Sequence, residues 1–150
     1  MNIAKFFTLL LTTILTLTSC QTDQDVLNQK IIGQWAIDRI EFQKQDIKDE
    51  LLINFMVFDE ESFSIPEVRI YTHEDADNGT KWTAESIINS QPLIKLECKN
   101  QIFSGTYKLK FFKNYEKKLL GMIMESDRTY IIASKFFQDF ESAQNINWEK

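Results

Sequence analysis

The chain has 150 residues and a formal net charge of −5; hydrophobic residues make up 43% of it and aromatic residues 13%. This hydrophobic content is enough for one packed domain and excludes an intrinsically disordered chain. Because the chain is acidic and has no basic stripe, it lacks the electrostatic attraction for a phosphate backbone, and we predict no binding to nucleic acid.

Residues 1–19 have the organisation of a secretory signal peptide. Lys5 supplies the positive charge, and the uncharged run FFTLLLTTILTL covers residues 6–17. A helix needs about 20 apolar residues to cross a bilayer. The run is shorter and polar residues soon follow it, so we predict a cleaved signal and no permanent transmembrane helix.

The predicted signal ends at a cysteine and not at an Ala-x-Ala site. The sequence LTSC, residues 17–20, resembles the lipobox of bacterial lipoproteins, in which an aliphatic residue and two small residues precede the cysteine. The resemblance implies that Cys20 receives a diacylglycerol on its sulfur, that the chain is cut before it and that the new amine is acylated. A thiolate is the nucleophile that this chemistry requires. The alternatives are an ordinary signal peptide with an incidental cysteine, or an N-terminal core strand.

Acyl chains on Cys20 would anchor the protein to a membrane. Each buried methylene contributes about 0.8 kcal/mol, so two or more chains hold stably. Residues 20–30 are then the lipidated cysteine and a polar tether. Gln21 is not the aspartate that retains some lipoproteins in the inner membrane, so we predict the cell envelope and, within it, the outer membrane. Asp23 and Asp25 resemble the export signal of surface lipoproteins of the Bacteroidota, which leaves the periplasmic face and the cell surface as alternatives.

Residues 31–150 are the predicted folded domain. Its dominant pattern is the alternation of apolar and polar residues in short runs, such as LIKLEC (93–98) and TYKLKF (106–111). A period of two is typical of antiparallel strands with one face in water. Turn-forming segments separate the runs at a spacing typical of sandwiches and barrels. The predicted strands are 33–42, 51–58, 62–65 with 67–73, 80–86, 92–98, 104–112, 118–125 and 129–137.

The connections between these strands are short, which favours a meander in which sequential strands are neighbours. Closing such a meander removes its exposed edges. The predicted fold class is therefore all-β, an antiparallel up-and-down barrel of about eight strands. Another antiparallel barrel or a sandwich is the alternative.

The segment IIGQWAIDRI (31–40) carries a second resemblance. Its Gly33-x-Trp35 pair, at the start of a long strand, is similar to the lipocalin hallmark and to bacterial lipocalin-like lipoproteins. Glycine permits a tight entry to the strand, and tryptophan offers a large surface to close one barrel end. The resemblance implies a late basic residue over the tryptophan, for which Lys135 fits best and Arg128 second. The apolar positions also change phase before Ile40, which predicts a bulge in the strand.

The inward aromatic residues are the candidate binding residues. Phe55, Trp82, Tyr107 and Tyr130 are predicted to line a barrel cavity for a small apolar ligand. An eight-strand barrel is just wide enough to be filled by its side chains or to hold one small ligand. The alternative is therefore a filled barrel that serves as a protein-interaction module in the envelope.

The sequence shows no pattern of an active site. His73 is the only histidine, and a calcium loop beside it would place Ala76 at a ligand position. We interpret DNG at 77–79 as a hairpin turn instead. The chain has no Gly-rich phosphate loop and no nucleophile elbow, so we predict a non-catalytic protein without a metal or cofactor.

Overall fold

The structure is a computed structural model that describes residues 22–69, 80–87 and 90–139, with side chains up to residue 136. The described residues contain one α-helix, a short 3-10 helix and nine strands. Their bounds are α1 (Asp23–Ile31), β1 (Gly33–Phe42), β2 (Gln45–Asp46), the 3-10 helix (Lys48–Glu50), β3 (Phe55–Phe58), β4 (Phe63–Ser64), β5 (Lys81–Glu85), β6 (Leu93–Glu97), β7 (Gly105–Asn114), β8 (Leu119–Glu125) and β9 (Thr129–Asp139). Of the strand predicted at 67–73, the structure describes a single bridge between Val68 and Leu51.

The strands form one antiparallel meander. Their order across the sheet is β4-β3-β1-β9-β8-β7-β6-β5, and the short β2 pairs with the end of β1. The first strand therefore lies beside the last, as the closure of an up-and-down barrel requires. The predicted fold class, an all-β antiparallel up-and-down barrel, is confirmed.

Side chains bridge the seam between the two outermost strands, β4 and β5. No backbone pairing joins these two strands in the part of the chain that the structure describes. Instead, the Thr80 hydroxyl donates a hydrogen bond to the carbonyl of Phe63, and the Trp82 indole N–H donates to the carbonyl of Asp59 at 2.7 Å. The Phe58 ring packs between the rings of Phe63 and Trp82, with both centroids 5.8 Å away. The barrel is thus nearly closed.

The predicted bulge in β1 is confirmed. The register of β1 against β9 shifts between Ile37 and Arg39. One extra residue changes which face the following side chains occupy. Both Ile37 and Ile40 consequently lie in the core, although they are three positions apart.

Residues 23–31 form a helix where we predicted a polar tether. The Thr22 hydroxyl accepts a hydrogen bond from the Asp25 N–H, and the Asp25 carboxylate accepts one from the Thr22 N–H, which is a reciprocal cap. These bonds lower the pKa of Asp25. Leu27 and Ile31, one turn apart, are buried against the barrel. The polar residues that indicated a tether therefore form the cap and the exposed face of α1.

Both ends of the barrel are covered. Helix α1 lies across the end at which β1 begins, which we call the α1 end. At the opposite end, the loop end, Ile102 and Phe103 are fully buried. The Asn100 side chain accepts a hydrogen bond from the Ile102 N–H at 2.9 Å, and the Thr129 hydroxyl donates to the Ile102 carbonyl at 2.7 Å. These bonds hold the 100–104 segment in the loop end.

We expect Gly33→Ala to lower the free energy of unfolding by about 2 kcal/mol, because the change combines backbone strain with a close contact. Gly33 has a φ of +127°, and a Cβ there would lie 2.9 Å from Cε of Lys135. Gly105→Ala is the matched control, since Gly105 has a φ of +151° but its nearest neighbour would be 3.9 Å away. Urea denaturation should show a loss about twofold smaller for the control. Equal losses would contradict a contribution from the Lys135 contact.

Candidate functional site

Apolar side chains fill the barrel interior. The largest of the side chains that are less than 2% exposed are Trp35, Tyr107, Phe58, Phe103, Ile31, Ile37, Ile40, Met56, Ile94, Leu96, Ile102 and Leu109. They come from β1, β3, β6 and β7, from α1 and from the loop end. A side chain without accessible surface borders no space that would admit a water molecule. In the part of the chain that the structure describes, these positions form a packed core.

Two of the four predicted ligand-binding residues, Tyr107 and Trp82, are buried. The single proton of the Tyr107 hydroxyl is shared between two carbonyls, that of Phe103 at 2.8 Å and that of Ile102 at 3.1 Å. Burial raises the pKa of Tyr107 to about 12. The hydroxyl group of Tyr107 therefore helps to hold the 100–104 segment in the loop end. Trp82 lies at the seam, where its indole N–H is bonded to the carbonyl of Asp59.

The other two predicted ligand-binding residues do not point inward, and that prediction is wrong. Phe55 is 40% exposed, because Met56 and Phe58 take the inward face of β3. The run LLINFMVF is apolar on both faces, so its alternation does not show which face is buried. Tyr130 lies half-buried on the outer face of β9, while its neighbours Thr129 and Ile131 are buried.

Lys135 joins the barrel to the end of α1. Its ammonium lies 5.4 Å from the centroid of the Trp35 ring. It donates hydrogen bonds to the carbonyls of Lys30 at 2.8 Å and Gln29 at 3.3 Å, in the last turn of α1. The Trp35 indole N–H donates to the carbonyl of Ile31 at 2.7 Å. Two side chains of the barrel thus hold the C-terminal end of α1.

The environment of Lys135 has opposing effects on its charge. Burial lowers the pKa of Lys135 to about 8. The helix carbonyls and the face of the Trp35 indole favour the ammonium form. Lys135, and not the exposed Arg128, occupies the position over Trp35, and Gly33 leaves room for its side chain. Because Trp35 has no exposed surface, this cluster is structural and offers no ligand a surface.

A surface groove of about 450 Å³ lies beside the seam. Asn28 of α1, Glu60 of the β3–β4 turn, and Lys81, Trp82 and Ala84 of β5 are among its lining residues. Its volume falls in the range of small-molecule sites, roughly 300 to 1,000 Å³. The groove is the place where Trp82 borders a space open to solvent.

A row of outward-facing residues crosses five strands on the outer face. The register pairs Phe55 with Ala36, Ala36 with Ser134, Ser134 with Gly121 and Gly121 with Phe112. Small residues thus occupy the three middle positions, and an aromatic residue stands at each end. The Phe112 ring lies over Gly121, in the space that a Cβ would need. We call these five residues the outer row.

Exposed apolar side chains surround the Phe55 end of the outer row. Phe136, two residues beyond Ser134 on β9 and therefore on the same face, is 41% exposed. Leu52 and Ile53, just before β3, are 52% and 43% exposed. Clusters of exposed apolar side chains mark surfaces that contact other molecules. Sequence analysis missed this surface because the face that each strand presents to solvent depends on the barrel.

Several sequence predictions fall on parts of the chain that the structure does not describe. They are the signal peptide at 1–19, the lipidation of Cys20, residues 70–73 of the predicted strand and the hairpin turn that follows His73. Among the described residues, no group of three or more His, Cys, Asp or Glu side chains is placed to hold a metal ion. Within the same ranges, no helix has the length and apolar character needed to span a bilayer.

The features that could have been compared with known proteins are the packed barrel, the Trp35–Lys135 contact and the outer row. Comparisons of the chain with protein-family models, with characterised proteins and with solved structures found no match. Function is therefore inferred from the geometry of this chain.

Proposed function

We propose that the protein is a bacterial envelope lipoprotein, anchored through Cys20, whose barrel is a non-catalytic protein-interaction module. The packed interior is the observation that carries this choice over a ligand carrier. A carrier of a small apolar molecule needs an enclosed volume of about 300 Å³ or more. Trp35 near the α1 end, Leu109 in the middle and Phe103 at the loop end have no accessible surface at all.

The lipoprotein part of the proposal is supported by residues 1–20. A positive charge, an apolar run too short to span a bilayer and the LTSC sequence occur in the order that lipid modification requires. The outer membrane is the proposed location, because Gln21 follows the cysteine.

The interaction part of the proposal is supported by Phe55, at one end of the outer row, and by the exposed residues around it. Phe55 and Phe136 are aromatic, stand on rigid strands and retain about two-fifths of their surface in water, at 40% and 41% exposure. Aromatic anchors on a preorganised surface carry most of the binding free energy in protein interfaces. On β1, between β3 and β9, the register neighbour of Phe55 is Ala36, whose side chain is a single methyl group. The partner is therefore an envelope protein that presents an apolar side chain.

The groove beside Trp82 favours a second candidate function. A small molecule bound there would contact the indole and the carboxylates and ammonium on the groove wall. Such a ligand would lie outside the barrel interior. Thr83→Trp, at an exposed lining position on the opposite face of β5 from Trp82, would fill the groove without changing the inward face of the core.

Mass spectrometry of the protein purified from membranes tests the anchor and the filled interior together. Under denaturing conditions, we expect a chain that begins at Cys20 and carries the mass of three acyl chains and glycerol, which Cys20→Ser should lack. Under native conditions, we expect no further mass that organic extraction removes. A reproducible extractable mass would contradict the filled-barrel module. Its loss in Thr83→Trp would then place the ligand in the groove and not in the interior.

Photo-crosslinking in the native host tests the interaction surface. A crosslinking amino acid at position 55 should yield a discrete protein adduct, and one at the exposed Gln101 of the loop end should yield none. Phe136→Ser should reduce the adduct at position 55 several-fold. Equal yields at both positions, or no adduct at position 55, would count against the proposed surface.

A further inference from the structure

We infer that the α1 end of the barrel is held against the membrane surface in one orientation, an inference that rests on the proposed lipidation of Cys20. The lipidated residue is only two positions before Thr22, the cap of α1. A chain spans at most about 3.6 Å per residue. The Cα atoms of Cys20 and Thr22 are therefore within about 7 Å of each other, whatever the conformation between them. The anchor thus lies at the first turn of a folded helix.

Helix α1 is fixed to the barrel at both of its ends, so it cannot act as a swivel. At its start, the Gln24 side chain donates a hydrogen bond to the Ala84 carbonyl at 2.8 Å and accepts one from the Ser86 N–H at 3.0 Å. At its end, the Lys135 ammonium is bonded to two helix carbonyls. Leu27 is buried between these contacts. An anchor attached to α1 therefore orients the whole barrel.

The residues exposed at the α1 end are of the type that a membrane interface attracts. The turn between β7 and β8 lies at this end, and Tyr115 in it is 76% exposed. Ile87, just after β5, is 38% exposed. Lys118 is exposed in the same turn, whereas the ammonium of the neighbouring Lys117 is paired with the Asp38 carboxylate. Tyrosine and lysine place an apolar body in the interface while their polar tips stay in water.

The loop end has the opposite character. In the described loop-end turns at 99–104 and 126–128, no large hydrophobic residue is well exposed. Leu52 and Ile53, which are exposed, lie in the connection that leads from the loop end into β3, beside the middle of β1. Strand β1 alone has ten residues. At about 3.3 Å per residue and a barrel tilt of roughly 40°, the loop end projects about 25 Å farther from the bilayer.

Net charge does not determine this orientation. Asp23, Asp25 and Glu116 are exposed at the same end and offset the lysines. The short anchor and the exposed Tyr115 and Ile87 are therefore decisive. In this orientation Phe55 and Phe136 stand on the side of the barrel, where they are accessible to a partner that is itself bound to the membrane.

Distance measurements on the lipidated protein in nanodiscs test the orientation. Nitroxide labels are placed at Ile87→Cys and Gln101→Cys in a Cys98→Ala background, since the sulfur of a lipidated Cys20 is a thioether and does not react. Lipids with a gadolinium chelate on the headgroup then relax each label according to its distance. We expect the enhancement at position 87 to exceed that at position 101 several-fold. Equal enhancements would overturn the inference.

A flexible insertion is the matched control. A Gly-Ser linker of about 20 residues between Gln21 and Thr22 has a root-mean-square length of about 25 Å, so the two enhancements should become equal. A linker variant that keeps the wild-type ratio would show that the short anchor does not set the orientation. Protein without acyl chains, recognised by its mass, would overturn the anchoring as well. Lipidated protein with equal enhancements would refute the orientation alone.

Discussion

Trp35→Ala should lower the free energy of unfolding by about 4 kcal/mol, the largest loss expected from any single change proposed for this protein. Trp35 has no accessible surface, its ring packs against Phe111 with centroids 6.4 Å apart, and its N–H is bonded to the Ile31 carbonyl. Truncation removes all of these contacts, takes the cation–π partner from Lys135 and leaves a cavity that the surrounding strands cannot close. Urea denaturation followed by circular dichroism measures the loss.

Two matched variants separate the contributions of Trp35. Trp35→Phe keeps an aromatic ring but removes the N–H donor, and should cost about 2 kcal/mol. Phe55→Ala removes an aromatic side chain that is 40% exposed, and should cost less than about 1 kcal/mol. If Phe55→Ala cost as much as Trp35→Ala, the assignment of these residues to opposite faces would be wrong.

Wild-type protein should gain stability relative to Lys135→Met as the pH rises from about 8 towards 10.5. The native pKa of Lys135 is lowered from 10.5 to about 8 by burial. Between these values the unfolded chain binds a proton that the native protein does not, so the free energy of unfolding rises with pH. Below pH 8 Lys135 is protonated in both the native and the unfolded protein, so the full cost of burying its charge lowers the free energy of unfolding. Above 10.5 that cost is absent.

We expect a relative gain of about 2 kcal/mol over this range, which is less than the full shift would give at about 1.4 kcal/mol per pKa unit. The carbonyls of Gln29 and Lys30 and the Trp35 ring offset part of the cost. Tyr107, whose pKa is raised to about 12, acts in the opposite direction above pH 10. It is present in both proteins, so it cancels in the difference. A pH-independent difference would show that Lys135 titrates normally.

Hydrogen exchange should report the structural role of Lys135 at neutral pH. Lys135→Met leaves the two helix carbonyls without their donor, so the amides of α1 should exchange faster than in wild-type protein. Amides of β6 and β7, neither of which pairs with β9 in the sheet, serve as the internal control. Equal acceleration in α1 and in these strands would indicate a global loss of stability and not the release of α1.

Strands with one face in water were predictable from sequence because alternation records burial directly. The run at 92–98 corresponds to β6, Leu93–Glu97, with Ile94 and Leu96 inside. The long first strand was predicted with its bounds at 33–42, and its bulge showed in the spacing of Ile37 and Ile40. Position 35 was recognisable because a Gly-x-Trp pair opens that strand.

The sequence prediction was wrong where local composition does not show which residues will be buried. In LLINFMVF both faces are apolar, so Phe55 was assigned to the wrong face. The polar composition of residues 20–30 concealed α1, because only Leu27 and Ile31 are buried and they become a helix face only when the barrel is present to pack against. The outer row has no local signal at all, since its five residues come from five strands.

By itself, the sequence determined most of the strand pattern and the bulge in β1, because each depends on neighbours within a few positions. Only the tertiary structure decided that α1 docks on the barrel, that Phe55 faces solvent and that the inward side chains of the described strands are packed together. Whether a barrel is filled depends on the tilt and stagger of its strands and on side chains that meet from distant parts of the chain. The alternation of apolar and polar residues within one strand contains no information on the volume left between the strands.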